Sequence, residues 1–372
     1  ACLVGSEMCI RDRKQVKFPL ATDASNAAVQ VLKEGEVQGS DVAAHSAGVL
    51  DIRTNILADT DALYLTAIDK YGHELWRWTF LVDKLNQQTE QLSPLSSRPT
   101  YTETENDLTV KANKRTFIFS KKDGQLKGVS VDNRKINFAN GPRFIGARRA
   151  DRSLDQFYNH DDEKAKEKDR TYSEFPDAAV FTKLDVKQDG GDLIVTANYK
   201  LGNLDKAQWT INPSGDLALD YTYNFSGVVD LMGIRFDYPE DQVISKRWLG
   251  AGPYRVWQNR IHGTQYDIWE NDYNDPIPGE TFTYPEFKGY FGNVSWMNIQ
   301  TKEGTISLTN ETPDTYIGVY QPRDGRDRLL YTLPESGISV LNVIPPVRNK
   351  VNSTDLCCLL YTSPSPRDRQ KS

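Results

Sequence analysis

Apolar and polar residues alternate along most of this chain with a period of two, the repeat of a strand that buries one face. Near the start, AVQVLKEGE (28–36), VLDIRTNIL (49–57), ALYLTAID (62–69) and ELWRWTFLV (74–82) combine short apolar runs with the β-branched and aromatic bias of strands. ALYLTAID, KYGH and ELWRWTF together predict a β-hairpin whose turn is supplied by Gly72. Further on, DLTVKAN (107–113), RTFIFSKKDGQLKGVSVDN (115–133), LIVTANYKL (193–201), AQWTIN (207–212), LALDYTYNFSG (217–227) and TISLTN (305–310) read as strands punctuated by Gly, Asn and Asp. Asp123-Gly124 and Ser214-Gly215 stand where hairpin turns are needed. No long stretch keeps the 3.6-residue period of an amphipathic helix, so the predicted class is all-β.

Strands at roughly ten-residue spacing over residues 14–91 predict a small immunoglobulin-like sandwich, whole or truncated at its beginning. LSPLSSRPTYTETEN (92–106) is rich in Ser, Thr and Pro and is expected to be a linker. The many strands of residues 107–350 predict one large two-sheet sandwich. The charged run HDDEKAKEKDRTYSE (160–174) reads as a solvated loop or short exposed helix.

The two ends follow another logic. LVGSEMCIRD (3–12) and LLYTSPSPRD (359–368) can be encoded by one stretch of DNA read on its two strands, in different frames. That relation is expected of a sequencing adaptor, so residues 1–13 and 357–372 are expected to be adaptor-derived and the native insert to run from about Lys14 to Leu356. Cys2, Cys9 and Cys358 then fall in the artefactual ends, with Cys357 at the junction. The native part has no disulfide framework or cysteine metal site, and its redox compartment cannot be read from cysteine. Arg11 and Arg13 are not a targeting signal; periplasm and cytoplasm of a bacterium stay open.

A net charge of −6 with mixed signs carries no basic stripe, so a nucleic-acid partner is not expected. No apolar run is long enough to span a bilayer. The 7 Trp and 18 Tyr have two readings: cross-strand packing in a β protein, or surfaces on which sugar rings stack. No P-loop or dinucleotide fingerprint occurs, and no histidine pair has zinc-ligand spacing, so neither cofactor nor metal is expected.

The densest region is RWLGAGPYRVWQNRIHGTQYDIWENDYND (247–275), followed by YPEFKGYFGNVSWMNIQT (284–301). Gly250, Gly252 and Pro253 are expected to form a tight turn where backbone approaches a partner closely. The region resembles the W-x-G-x-G-P-x-x-x-Y-x-D-R signature in the last large domain of family 2 glycoside hydrolases of the β-galactosidase type. The later segment is similar to that domain's P-x-E-x-G-x-x-x-x-V-x-W stretch, with Pro285, Gly289 and Trp296 as counterparts. FSKKDGQLKGVSVDNRKI (119–136) and NGPRF (140–144) resemble its opening, and ALYLTAIDKYGHELWRWTF (62–80) resembles the close of the preceding immunoglobulin-like domain.

The resemblance implies a supersandwich with galactose-mutarotase topology, in a β-galactoside-hydrolysing parent whose (β/α)₈ barrel lies upstream in the same polypeptide. There are departures: Trp257-Gln258-Asn259-Arg260 stands where the signature has Y-x-D-R, and FIGARRADRSLDQFYN (144–159) replaces the usual W-R-A-P-T-D-N-D run.

Enzymes of that family retain configuration with two glutamates about 5 Å apart on the barrel. No alternating βα pattern occurs here, so the chain alone is expected not to hydrolyse glycosides. Its expected role is to buttress the barrel and wall the carbohydrate cleft. The residues expected to face that cleft or hold its wall are Arg247, Trp248, Tyr254, Arg255, Trp257 and Arg260, supported by Trp269, Tyr284, Glu286 and Trp296. A free-standing carbohydrate-binding or scaffold module is the alternative. Mutarotase chemistry would need a His acid beside a carboxylate; of His45, His73, His160 and His262, only His262, near Glu270, qualifies. Asp267, Glu270, Asp272 and Asp275 are either a solvated acidic loop or oxygen ligands for a cation. Asn224, Asn293, Asn310 and Asn352 begin glycosylation-type tripeptides.

Overall fold

The computed structural model describes residues 9–21, 27–37, 49–50, 52–69, 71–82, 97–149, 172–272, 289–312, 314–319 and 337–346. In chain order β1 (Cys9–Lys17), β2 (Gln30–Gly35), β3 (Ala62–Ile68) and β4 (Glu74–Leu81) form one sheet, ordered β2-β1-β3-β4. The β3–β4 hairpin turns at Gly72, whose φ of +90° is a conformation that only glycine adopts without strain. β1 crosses the expected adaptor junction, and Val16 of β1 and Phe18 just after it enter the core.

Then come β5 (Thr100–Glu103), β6 (Asp107–Ala112), β7 (Arg115–Ser120), β8 (Leu126–Val131), β9 (Arg134–Ile136), β10 (Ala139–Arg149) and β11 (Tyr172–Glu174). β12 (Val180–Asp189), β13 (Asp192–Lys200), β14 (Leu204–Ile211) and β15 (Leu217–Tyr223) form a four-stranded meander. β16 (Leu231–Asp237), β17 (Val243–Gly252), β18 (Gln265–Asn271), β19 (Phe291–Gly292), β20 (Trp296–Thr301), β21 (Gly304–Thr309), β22 (Tyr316–Val319) and β23 (Ile338–Val343) complete the order. The long sheet runs β19-β22-β23-β16-β10-β8-β7-β6-β5, with β11 beside β10 and β9 beside β8. The last sheet is ordered β18-β17-β20-β21. All pairs of named strands are antiparallel among the described residues, as the all-β expectation requires.

One face of the long sheet is covered by two sheets side by side. Leu108, Val110, Phe117, Phe119 and Leu126 pack on Leu193, Val195, Trp209 and Ile211 of the meander. Ile317, Val319 and Ile338 pack on Trp248, Met297 and Ile299 of the β17 sheet. The alternation that predicted these strands is visible as burial on every second residue of β6 and β13. The turns at Gly124 and Gly215 lie in left-handed backbone, at φ of +74° and +83°.

Two boundaries differ from expectation. Thr100–Glu103, placed in the linker by composition, forms the edge strand β5 against β6, with all four residues exposed. Residues 92–96 of the expected linker lie outside the described residues, and the N-terminal sheet is in direct contact with the rest of the fold. Val16, Phe18, Ala62 and Tyr64 pack directly on Leu249 and Trp296 of the β17 sheet, because those two residues point away from the long sheet and need a cover.

Phe119 is fully buried against Trp209, with ring centroids 6.0 Å apart. We expect Phe119→Ala to lower unfolding free energy by about 3–5 kcal/mol, read as a shifted urea midpoint at unchanged slope.

Candidate functional site

The signature region is built on β17, which buries both faces. Trp248 and Leu249 are each 2% exposed yet point to opposite sides, paired with Met297 and Trp296 on β20. Two neighbours come too close for any side chain at the strand's end. A Cβ on Gly250 would lie 3.0 Å from the Asn293 carbonyl oxygen, and one on Gly252 would lie 2.4 Å from Cδ1 of Trp269. The close approach predicted for these glycines is real, but its partners are the protein's own backbone and indole, and both residues sit within the strand rather than in a turn. Trp269 Nε1 donates to the carbonyls of Gly250 and Gln265, each at 3.1 Å, and Trp248 Nε1 donates to the Ala251 carbonyl at 3.0 Å.

Beyond Gly252 the chain leaves the sheet over residues 253–264 and returns as β18. The root of this excursion is buried. Val256 exchanges backbone hydrogen bonds with Tyr290, at 2.8 and 2.9 Å, and Trp257 is fully buried on Ile145, Ala147, Leu231 and Leu341 of the long sheet. The Trp257 ring meets Tyr290 edge-on at 5.7 Å. Gly289 makes the Val256 contact possible, since a Cβ there would sit 2.4 Å from the Val256 oxygen. Arg255 is buried with its guanidinium 4.9 Å from the centre of the Phe291 ring. Exposed residues flank this root in the chain: Tyr254 before it is 67% exposed, and Arg260 and His262 beyond it are exposed too.

The other expected site residues face the N-terminal sheet. Trp296 Nε1 donates to the Pro19 carbonyl at 3.0 Å, and Arg247 Nη2 donates to the Ala27 carbonyl at 2.8 Å. Tyr284 and Glu286 lie outside the described residues, as do Asp275, His45, His160 and Asn352. The structure therefore uses Trp248, Trp269 and Trp296 as packing at β17, buries Arg255 against Phe291 and Trp257 on the long sheet, and leaves Tyr254 and Arg260 on the surface.

The acidic segment does not gather. Asp267 is buried and turned to the N-terminal sheet, where it accepts a hydrogen bond from the Tyr64 hydroxyl at 2.7 Å and pairs with Arg77 at 3.0 Å. Arg77 also lies over the Tyr64 ring at 4.8 Å. Glu270 reaches only to within 4.0 Å of Arg247, and Asp272 is exposed. Among the described residues no group of three His, Cys, Asp or Glu could hold a metal ion. Tyr64 and Arg77 were missed in the sequence because alternation alone identifies neither their shared partner nor the strand it lies on. Asn310, one of the glycosylation-type residues, is occupied: its amide donates to the Val294 carbonyl at 3.1 Å and to Thr315 at 2.9 Å. His73 sits at the hairpin turn with Nδ1 3.0 Å from Asp69.

Burial dominates the titration of this joint. It pushes the Tyr64 phenol well above its ordinary range, with the Asp267 carboxylate adding to the shift, and burial likewise raises Tyr266. Tyr238, whose hydroxyl donates to Glu303 at 3.0 Å, is pushed up to about 12, chiefly by burial.

The profile of the family described as Beta galactosidase small chain matches residues 111–341. No curated protein matches the chain.

Removing Asp267 strands Arg77 and the Tyr64 hydroxyl at a closed interface. We expect Asp267→Ala to cost about 2–4 kcal/mol in a denaturant titration, and the further change Arg77→Met to recover part of it. Gly252→Ala should cost about 1–3 kcal/mol, because Trp269 must move, whereas Tyr254→Ala should stay within about 0.5 kcal/mol of wild type. Phenols raised in the folded state keep their proton while unfolded ones lose it. Stability is therefore full below the ordinary tyrosine value of about 10 and falls as pH rises through about 12. Tyrosinate absorbance followed with circular dichroism should show these side chains ionising only as the fold opens.

Proposed function

The chain belongs to the β-galactosidase small chain family, and from that premise we propose that it is the non-catalytic C-terminal part of a β-galactosidase-like, family 2 glycoside hydrolase. In this proposal the two catalytic glutamates lie on an upstream barrel of the same polypeptide, which cleaves terminal β-galactosides with retention. The chain buttresses that barrel and walls its sugar cleft.

One observation carries the assignment of the wall: the 253–264 excursion has a fully buried root at Trp257, flanked in the chain by the exposed Tyr254 and Arg260. Such an element can offer an aromatic face and a fork of donors to a sugar without ordering itself on binding, which keeps the entropic cost of contact low. Tyr254 and Arg260 are the proposed sugar contacts. Arg247, Trp248, Arg255, Trp257, Trp269 and Trp296 hold the wall in place, and Tyr284 and Glu286 join the proposal on sequence alone. The exposed apolar residues of β4, Trp76 at 42% and Phe80 at 51%, support a larger polypeptide packing against this side.

The test uses the parent polypeptide with a chromogenic β-galactoside. Tyr254→Ala should raise KM about tenfold with a smaller effect on kcat, the mark of a lost binding contact distant from the bonds that break. The chain alone should release no chromophore. Unchanged KM in the variant would remove Tyr254 from the cleft, and hydrolysis by the isolated chain would overturn the non-catalytic assignment.

A further inference from the structure

A second concave feature lies on the long sheet, away from the 253–264 excursion. It is a cavity of about 440 Å³ where the ends of β6, β7 and β8 meet the start of β10. That volume is within the range of small-molecule clefts, about 300–1,000 Å³, but such clefts are mostly apolar and this one is not. Every side chain that lines it is polar.

The charges cancel: Asp107 and Asp123 stand against Lys122 and Lys127. Lys127 is committed to Asp107, at 2.9 and 3.0 Å from its two oxygens, and Asp123 accepts from the Gln125 backbone N–H at 3.1 Å. The side-chain amides of Asn106 and Gln125 and the Lys122 ammonium have no protein partner among the described residues. The walls are set in advance. Gly124, at the turn, is packed so tightly that a Cβ would lie 2.7 Å from the Phe181 ring. Asn140 has a left-handed φ of 54° and donates its amide to Asp237 at 2.9 Å.

A phosphate would meet Asp107 and Asp123, a cation would meet the two lysines, and an apolar ligand would strip water from all of them. A neutral polyol fits, because each hydroxyl can accept from an ammonium or amide N–H while donating to a carboxylate or amide oxygen. We propose that this cavity is a second carbohydrate site that takes a neutral mono- or disaccharide unit, with Asn106, Lys122 and Gln125 as its hydrogen-bonding groups. It shares only a ligand class with the cleft proposed above and requires no barrel.

Saturation-transfer difference NMR on the full chain tests it, with lactose and cellobiose as probes and inorganic phosphate as competitor. Sugar signals should titrate with a Kd on the order of 1–10 mM. The double variant Asn106→Ala/Gln125→Ala should weaken binding at least about fivefold, while Lys187→Ala, at an exposed position of β12, leaves it unchanged. The proposal is overturned by absence of transfer from both sugars, by displacement of sugar by phosphate, or by binding that survives the double variant. Loss of binding in Tyr254→Ala alone would overturn it too, by moving the sugar to the excursion. The KM test in the parent polypeptide reads Tyr254 independently, so the two proposals can fail separately.

Discussion

Strand β17 has no face left for solvent along its second half, and most of the surrounding structure answers to that constraint. Trp248 looks into the core beneath the long sheet and Leu249 looks into the core beneath the N-terminal sheet. A strand buried on both sides can carry bulk on alternate positions only if other positions carry none. Gly250 and Gly252 meet that need, letting the Asn293–Val294 backbone and the Trp269 indole close over them. Burial at this density is worth roughly 25 cal/mol per Å² of apolar surface. It leaves little freedom to the strands on either side.

Polar groups at the same place have to be matched inside the protein. The joint between the N-terminal sheet and the β17 sheet is apolar at Phe18, Tyr64, Leu249 and Trp296, and buried polar groups reach across it. Asp267 is the main case, held by a hydroxyl, a guanidinium and the Ile268 backbone N–H at 2.8 Å. A carboxylate so placed adds little net stability over an apolar residue of similar size, but it fixes alignment, because removing one member exposes the others to the cost of unpaired burial. Trp296 and Arg247 act in the same sense, reaching across to carbonyls at Pro19 and Ala27. The sheets are thus tied by directional bonds at sites that also exclude water.

The same packing extends to the loop between β17 and β18. The 253–264 excursion is anchored at Val256 and Trp257 to the outer face of the long sheet. The aromatic richness that suggested sugar stacking is mostly spent on that anchoring: of the tryptophans singled out, Trp248, Trp257 and Trp296 are buried and Trp269 is half-buried. What the 253–264 excursion itself leaves exposed of its aromatic residues is Tyr254, with Arg260 exposed on the other side of Trp257 in the chain.

The sequence by itself determined the all-β class, the hairpin turns at Gly72, Gly124 and Gly215, and the family signature around Trp248–Pro253. These are local properties: a period of two states that a strand has faces, and a glycine between alternating runs states where the chain reverses. Only the tertiary structure decided which faces are covered, and by what. Alternation cannot distinguish a strand with one buried face from β17, where both are buried, nor tell that Thr100–Glu103 extends a sheet instead of linking two domains. It also cannot pair Tyr64 with Asp267 across 203 residues. The physical reason is that burial belongs to pairs of surfaces brought together by the whole chain, while the pattern along one strand records only half of each pair.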